Sequence, residues 1–212
     1  YCPPGDFFID PWQPVDRAVI THGHADHARP GSRGYLAATP GLDILRVRLG
    51  ADAALDGVAY GERRTIGEVT VSFHPAGHLL GSAQVRLERR GYRVVVSGDY
   101  KVEADPTCAP FESVVCDSFI SECTFGLPVF RWPDATSVFE EIHDWWAENR
   151  AAGRTSVCYT YALGKAQRLL AGLDAGAGPI LVHGAVERLL PAYRAAGIGL
   201  PATERATPDA AA

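Results

Sequence analysis

Four residues able to ligate a metal stand within six positions in His22-Gly23-His24-Ala25-Asp26-His27, directly after Thr21 and the apolar run Ala18–Ile20. A cluster of this density constrains the fold more than any other feature, because imidazole and carboxylate groups are costly to bury unpaired. If the apolar run is a strand, alternate residues point to one face, so His22 and His24 can reach one ion from the strand's carboxyl end. Asp26 and His27 follow a turn that the small residues Gly23 and Ala25 permit, and they can aim at a second ion nearby. Nitrogen and carboxylate donors without thiolate suit zinc, and manganese or iron fits nearly as well. The alternative is a solvated polar loop, but four such groups at a strand end are hard to justify as packing.

Two later segments extend the set. Pro75-Ala76-Gly77-His78-Leu79-Leu80-Gly81-Ser82 places a histidine in a glycine-flanked turn between two apolar runs, and Ser97-Gly98-Asp99-Tyr100 ends an apolar run on a carboxylate. Alone, each is an ordinary loop histidine or an ordinary turn. Their order and strand-end context after the histidine cluster make His78 and Asp99 candidate ligands.

The apolar runs come in two styles, and the style changes near residue 130. Before that point the pattern predicts strands over Phe7–Asp10, Ala18–Thr21, Val69–Phe73, Ala83–Glu88, Arg93–Ser97 and Val114–Ile120, with a hairpin turn at Arg89-Arg90-Gly91-Tyr92. One helix is predicted over Leu42–Leu49, entered through Thr39-Pro40-Gly41. Beyond it, Asp134 caps a helix over Thr136–Ala152 that Gly153 ends; Ser156–Thr160 is a strand, Lys165–Leu173 a helix, Ile180–Val182 a buried strand and Val186–Ala196 a helix. Such alternation implies a parallel α/β unit packed beside the first region.

Composition narrows the class. With 212 residues the chain can bury a core without staples. Hydrophobic residues at 47% and charged residues at 21% suit a soluble globular protein, and no apolar run approaches the roughly 20 residues that span a bilayer, so a membrane partner is not expected. The five cysteines, Cys2, Cys108, Cys116, Cys123 and Cys158, are odd in number and form no CxxC pair; they read as reduced thiols packed in the core of a cytoplasmic protein. Tyr1-Cys2-Pro3-Pro4-Gly5 carries no signal-peptide pattern and Pro208-Asp209-Ala210-Ala211-Ala212 reads as a disordered tail or a boundary, so both termini look cut. A net charge of -5 gives no global basic footprint for nucleic acid, and binding of that kind must come from local patches. Arg63-Arg64 and Arg89-Arg90 read as solvated faces, His143 beside Trp145 and Trp146 as helix packing, and His74 as a rim residue rather than a ligand.

Taken together, HGHADH, AGHLLGS, SGDY and Ser121-Glu122-Cys123-Thr124-Phe125-Gly126 resemble the metallo-β-lactamase superfamily in its β-CASP branch of nucleic-acid nucleases. Within that branch, the opening Tyr1–Phe7 with Asp10-Pro11-Trp12, and Tyr159–Gln167 (YTYALGKAQ), are most similar to bacterial ligase-associated DNA exonucleases. The resemblance implies an α/β fold: a metallo-β-lactamase αββα sandwich over residues 1–126, with part of an inserted β-CASP-like α/β clamp domain over residues 127–212. It implies that His22, His24 and His78 hold one zinc, that Asp26 and His27 belong to a second, and that Asp99 bridges the two. Glu122 matches an acidic position that orients a histidine by hydrogen bonding. The family's later histidine motifs, one giving the second zinc its last ligand and one a general acid, have no convincing match before Ala212. His183, in Leu181-Val182-His183-Gly184, matches the histidine-glycine of the family's closing motif but follows ALGKAQ closely; it is read as a clamp-domain or substrate-side residue, with the last ligand as the minor alternative.

The activity so implied is hydrolysis of DNA phosphodiester bonds, exonucleolytic and belonging to repair and end processing. Two zinc ions, or manganese in their place, would activate a hydroxide, with Asp26, Asp99 and Glu122 as the catalytic carboxylates. Lys101, Lys165 and His183 are candidate substrate contacts. The implied partners are single-stranded DNA or duplex ends, with an ATP-dependent DNA ligase and a helicase as functional associates. RNA processing within the same branch, and hydrolysis of a lactone or thioester, are the alternatives. A non-catalytic binding subunit is disfavoured by the intact histidine cluster.

Overall fold

A computed structural model describes residues 1–207, and the tail read over residues 208–212 lies outside the described residues. The chain divides into two compact units, Tyr1–Glu122 and a second that begins at Cys123.

Two sheets build the first unit. Four parallel strands, β1 (Phe8–Ile9), β2 (Arg17–Ile20), β3 (Gly34–Ala38) and β4 (Leu55–Val58), lie side by side in chain order. The second sheet runs β5 (Arg63–Ile66), β6 (Val69–Pro75), β7 (Ala83–Arg89), β8 (Tyr92–Val96) and β9 (Ser118–Ile120), antiparallel except for the β8–β9 pair. Strand side chains alternate between faces, so each sheet has an apolar face, and the two apolar faces meet. Phe7, Val19, Leu36 and Val58 from the first side pack with Val69, Val71, Phe73 and Val85 from the second, all buried. Each such side chain contributes about 1.5–3 kcal/mol by leaving water.

The intervening residues of β2 and β3 point the other way. There α1 (Leu42–Leu49) lays Leu45 against Ala18, Ile20, Tyr35 and Ala37. The outward face of the second sheet is polar: Glu88 accepts from Arg63 at 3.0 Å and from Arg86 at 2.7 Å, and Gln84 Nε2 donates to the Glu112 carbonyl at 2.7 Å. α1 is the only α-helix among the described residues of this unit, so the unit supplies three layers of the expected αββα order and not the fourth.

Three strands here escape the sequence pattern. β3 is buried along most of its length and shows no alternation, β4 is four residues long with a glycine inside, and β5 opens on two arginines. Arg63 and Arg64 are strand residues whose guanidinium groups pair with Glu88 and Asp56. The run Val114–Ile120 pairs only over Ser118–Ile120. The hairpin between β7 and β8 turns through Arg90 and Gly91 at φ +52° and +83°, the type I′ geometry that matches strand twist.

The second unit contains α2 (Ala135–Ala151), α3 (Lys165–Gly172), β10 (Leu181–Val182), α4 (Gly184–Glu187), α5 (Leu190–Ala195) and β11 (Glu204–Arg205), with β10 and β11 parallel. Asp134 Oδ1 accepts from the Thr136 backbone N–H at 2.8 Å and caps α2. Leu170, Val182 and Leu190 form a small buried cluster. Two expectations fail. Ser156–Thr160 pairs with no strand among the described residues, and Val157 and Tyr159 stand exposed. The single helix over Val186–Ala196 is two: α4 closes on the Leu189 N–H to Val186 carbonyl bond at 2.9 Å, and α5 starts anew with Pro191 in its first turn.

The cysteines correct a further expectation. None of the five is fully buried: Cys2 is half-buried against the main core, Cys108 and Cys116 are half-buried, and Cys123 and Cys158 are exposed. No helix of the described residues is long and apolar enough to cross a membrane.

Candidate metal centre

Three loops at one end of the sandwich supply the cluster: the turn after β2, the β6–β7 loop and the turn after β8. After β2 the chain closes tightly, with the N–H groups of His27 and Ala28 both donating to the His24 carbonyl at 3.2 and 2.8 Å. Arg48 of α1 donates from Nε to the Gly23 carbonyl at 3.1 Å and pins this turn from outside. In the β6–β7 loop, Ser82 Oγ accepts from the backbone N–H groups of His78 and Leu79, both at 3.1 Å. Glycines let these loops approach. Gly77 has φ +72° and a Cβ there would lie 2.2 Å from the Lys101 carbonyl oxygen; Gly98 has φ +56° and its Cβ would meet the Thr21 side chain at 2.7 Å. Both conformations are strained for residues with a side chain.

The ligand atoms converge. One nitrogen or oxygen from each of His22, His24, His78 and Asp99 lies within 4.8 Å of the others. His24 Nδ1 is 3.1 Å from His22 Nε2 and 3.3 Å from His78 Nε2. Ligands held tetrahedrally at about 2.0–2.1 Å from a zinc-sized cation sit roughly 3.3 Å apart, so the donor set fits such an ion. Asp99 turns its two oxygens to different neighbours. Oδ2 lies 3.7 Å from His22 Nε2 and 3.6 Å from His78 Nε2, whereas Oδ1 lies 3.4 Å from His27 Nε2. Asp26 Oδ2 is 3.8 Å from the same His27 nitrogen. Two sets of candidate donors therefore face one carboxylate.

Asp10 organises the inner side. Its Oδ1 accepts from the Thr21 N–H at 2.8 Å, and its Oδ2 accepts from Thr21 Oγ1 at 2.6 Å and from His27 Nδ1 at 2.7 Å. The Thr21 hydroxyl has one proton, and with Asp10 taking it the hydroxyl oxygen accepts from His22 Nδ1 at 3.0 Å. The tautomer that results leaves Nε2 of His22 as a lone pair facing the cluster. Neither Asp10 nor Thr21 was singled out by sequence reasoning. The available signal is Asp10-Pro11-Trp12, which carries meaning only through the family resemblance.

Protonation follows from burial and neighbours. Burial, then repulsion from the neighbouring imidazoles of His27, His78 and His24, pushes His22 well below the ordinary imidazole range. Burial and His24 lower His78 to about 4, against the opposing pull of Asp99 and Glu122. His27 goes the other way: burial acts to lower it, but hydrogen bonds with Asp10 and Asp99 outweigh that and raise it to about 10. The hydrogen bond from His27 holds Asp99 at about 2 despite partial burial. Neutral imidazoles and an ionised carboxylate are the forms that ligate a divalent cation, and His27 would exchange its proton for one.

The other candidates carry bonds of their own. The Lys101 ammonium is 3.3 Å from Asp105, a buried carboxylate that also accepts from Thr107. His74 bridges Ser72 at 3.1 Å and Glu112 at 2.9 Å. In the second unit, Lys165 stands over the Tyr161 ring at 5.2 Å, and His183 Nδ1 accepts from the Ala185 N–H at 3.1 Å and caps α4. His143 Nε2 accepts from the Asp174 N–H at 3.1 Å, a structural bond within that unit.

Comparison with known proteins gives several relatives. A protein of Opitutus terrae named "Probable DNA ligase" is 29% identical over 203 residues, covering 95% of this chain and 20% of the relative. An "RNase J-like protein" of Methanocaldococcus jannaschii is 28% identical over 113 residues, 52% of this chain and 27% of its own. A ribonuclease of Thermus thermophilus is 29% identical over 196 residues, 77% of this chain and 44% of its own. The chain thus spans less than half the length of each of these relatives. No family model matches it.

Proposed function

Because the chain belongs to the β-CASP branch of the metallo-β-lactamase superfamily, we propose that it is a metal-dependent nuclease hydrolysing phosphodiester bonds of DNA at single-stranded or duplex ends, in end processing and repair. His22, His24 and His78 would hold one cation, Asp26 and His27 a second, and Asp99 would span both. A pair of cations there supplies Lewis-acid neutralisation of phosphate charge and lowers the pKa of a water nucleophile toward neutrality. Zinc suits the nitrogen-rich set, and manganese is the alternative.

The chain's own residues do the positioning. Asp10 and Thr21 fix the His22 tautomer and aim His27, so the donors are held before an ion arrives. Glu122 acts on the site through its charge at His78, and we assign it the role of orienting a histidine. Lys101 and Lys165 are kept as candidate phosphate contacts and His183 as a candidate substrate-side residue.

The observation that carries the hydrolase reading is the split of Asp99 between two ligand groups. The choice of DNA is supported by the Opitutus relative, whose name is that of a DNA ligase and which is matched across 95% of this chain. It also favours functional association with a ligase. The relatives named as ribonucleases support RNA as the second reading. End-labelled single- and double-stranded DNA, labelled RNA and a chromogenic lactone, each incubated with zinc or manganese, separate these. Digestion of RNA alone would replace DNA in the proposal, and turnover of the lactone alone would remove the nuclease reading.

A further inference from the structure

Trp12 leaves 72% of its surface exposed only two residues from Asp10. Arg29, two residues past His27, stands over this indole with its guanidinium carbon 4.0 Å from the ring centroid. Two residues of chain span at most about 7 Å, so the pair stands beside the metal cluster. Arg29 is unlike the arginines of the second sheet. Arg63, Arg64, Arg86, Arg89 and Arg93 each pair with an acidic side chain. Among the described residues the Arg29 guanidinium has no such partner, and its Nε is screened from water without a hydrogen bond. The chain is acidic overall, so an uncompensated cation stacked on an open indole next to a cluster of carboxylates is a local exception.

We propose that Trp12 and Arg29 form a nucleotide subsite: the open face of the indole stacks one base of a single strand, and Arg29 holds an adjacent phosphate. The proposal rests on the nuclease reading. A base has a π-face whatever its identity, so stacking of this kind is sequence-tolerant. It requires a base free of its duplex partner, so the subsite favours a single-stranded end over a blunt one. Arg29 covers one face of the ring and adds its charge there, which leaves the other face for the base.

The test is fluorescence anisotropy of labelled oligothymidylate with wild type, Trp12→Ala, Trp12→Phe and Arg29→Gln, both with zinc and metal-free in EDTA. Beside it runs an oligomer of abasic residues, which keeps the phosphates and lacks the bases. Trp12→Ala should weaken oligothymidylate binding about tenfold, with Trp12→Phe recovering most of it and the abasic oligomer binding wild type and Trp12→Ala alike. Arg29→Gln should weaken both oligomers and flatten the slope of log affinity against log salt by about 0.7. Oligothymidylate binding untouched by Trp12→Ala, or Trp12→Phe as weak as Trp12→Ala, would overturn the subsite and leave the nuclease reading standing. Wild-type protein that binds neither DNA nor RNA oligomers overturns both. If Trp12→Ala does not fold by circular dichroism, the phenylalanine variant and the abasic oligomer decide the matter.

Discussion

The two units of this chain solve the problem of burial to different depths. In the first, two sheets close over a shared core in which Phe7, Val58, Val71, Phe73 and Val85 are fully shielded, and the candidate ligands stand on the loops that leave those strands. In the second, α2 runs for 17 residues without one buried side chain, and the buried cluster rests on Leu170, Val182 and Leu190. The difference teaches where precision can be built. Ligand atoms must be held to a few tenths of an ångström, and strand ends anchored in a deep core give that tolerance where an exposed helix does not.

The largest effect should come from the ligand that joins the two groups. Asp99→Ala is expected to lower metal-dependent hydrolysis by more than about a thousandfold, several kcal/mol of barrier, and to reduce the number of bound metal ions, with circular dichroism unchanged. Metal analysis on the same preparation separates loss of the centre from loss of fold. Full activity in this variant would break the assignment of Asp99 as the shared ligand.

Next is the core itself. Phe73 is fully buried on β6, the strand that leads to His78, and Phe73→Ala should cost about 3–5 kcal/mol of stability by denaturant unfolding. Leu170→Ala in the second unit should cost less, toward about 2 kcal/mol, because its small cluster can relax around the gap. Equal losses in the two variants would erase the contrast between the units.

What could be read from the sequence follows the same division. The metal cluster was legible because His22, His24, His78 and Asp99 each follow a short apolar run that reads as a strand, and strand direction fixes where the next residues point. The strands β3, β4 and β5 were not legible. β3 is buried on both sides and so lacks a polar phase, and β5 is held at the rim by ion pairs of Arg63 and Arg64 that look like solvent-facing charge until Glu88 and Asp56 are placed across from them. Asp10 escaped for another reason. Its role depends on a backbone turned to φ +45° that brings its carboxylate to Thr21 and His27, residues 11 and 17 positions away, and no local pattern reports that. In the second unit Asp134 and the following helix were readable as a local cap, whereas Ser156–Thr160 carries strand composition without a strand to pair with among the described residues.

Asp10 offers a sharper probe of the first unit. Asp10→Asn keeps the shape but weakens acceptance from both Thr21 and His27, so the orientation of His27 loosens. The expected outcome is a loss of about 10- to 100-fold in affinity for the second metal ion, with the first much less affected. Titration calorimetry with zinc, resolving two binding events in wild type, measures it. Equal weakening of both events would mean that Asp10 supports the whole loop rather than His27 in particular.

The smallest expected effect lies in the second unit, and its sign carries the information. Arg188 and Leu189 separate α4 from α5, with Pro191 just beyond them, and there are two accounts of that break. If proline forces a kink in what would otherwise be one helix, replacing it restores a hydrogen bond and raises stability. If α5 simply starts there, Pro191 occupies the first turn, where its missing N–H would be unpaired in any residue, and its fixed φ limits the freedom of the unfolded chain. The backbone favours the second account. Leu189 donates to the Val186 carbonyl at 2.9 Å in a tightened closing turn of α4, and α5 then buries Leu190, Ala192 and Tyr193 on its own. Pro191→Ala should therefore lower stability, by about 0.4–1 kcal/mol, with little gain in helical signal. A stabilised variant with a longer helix would show that the second unit is held away from its preferred form by one residue.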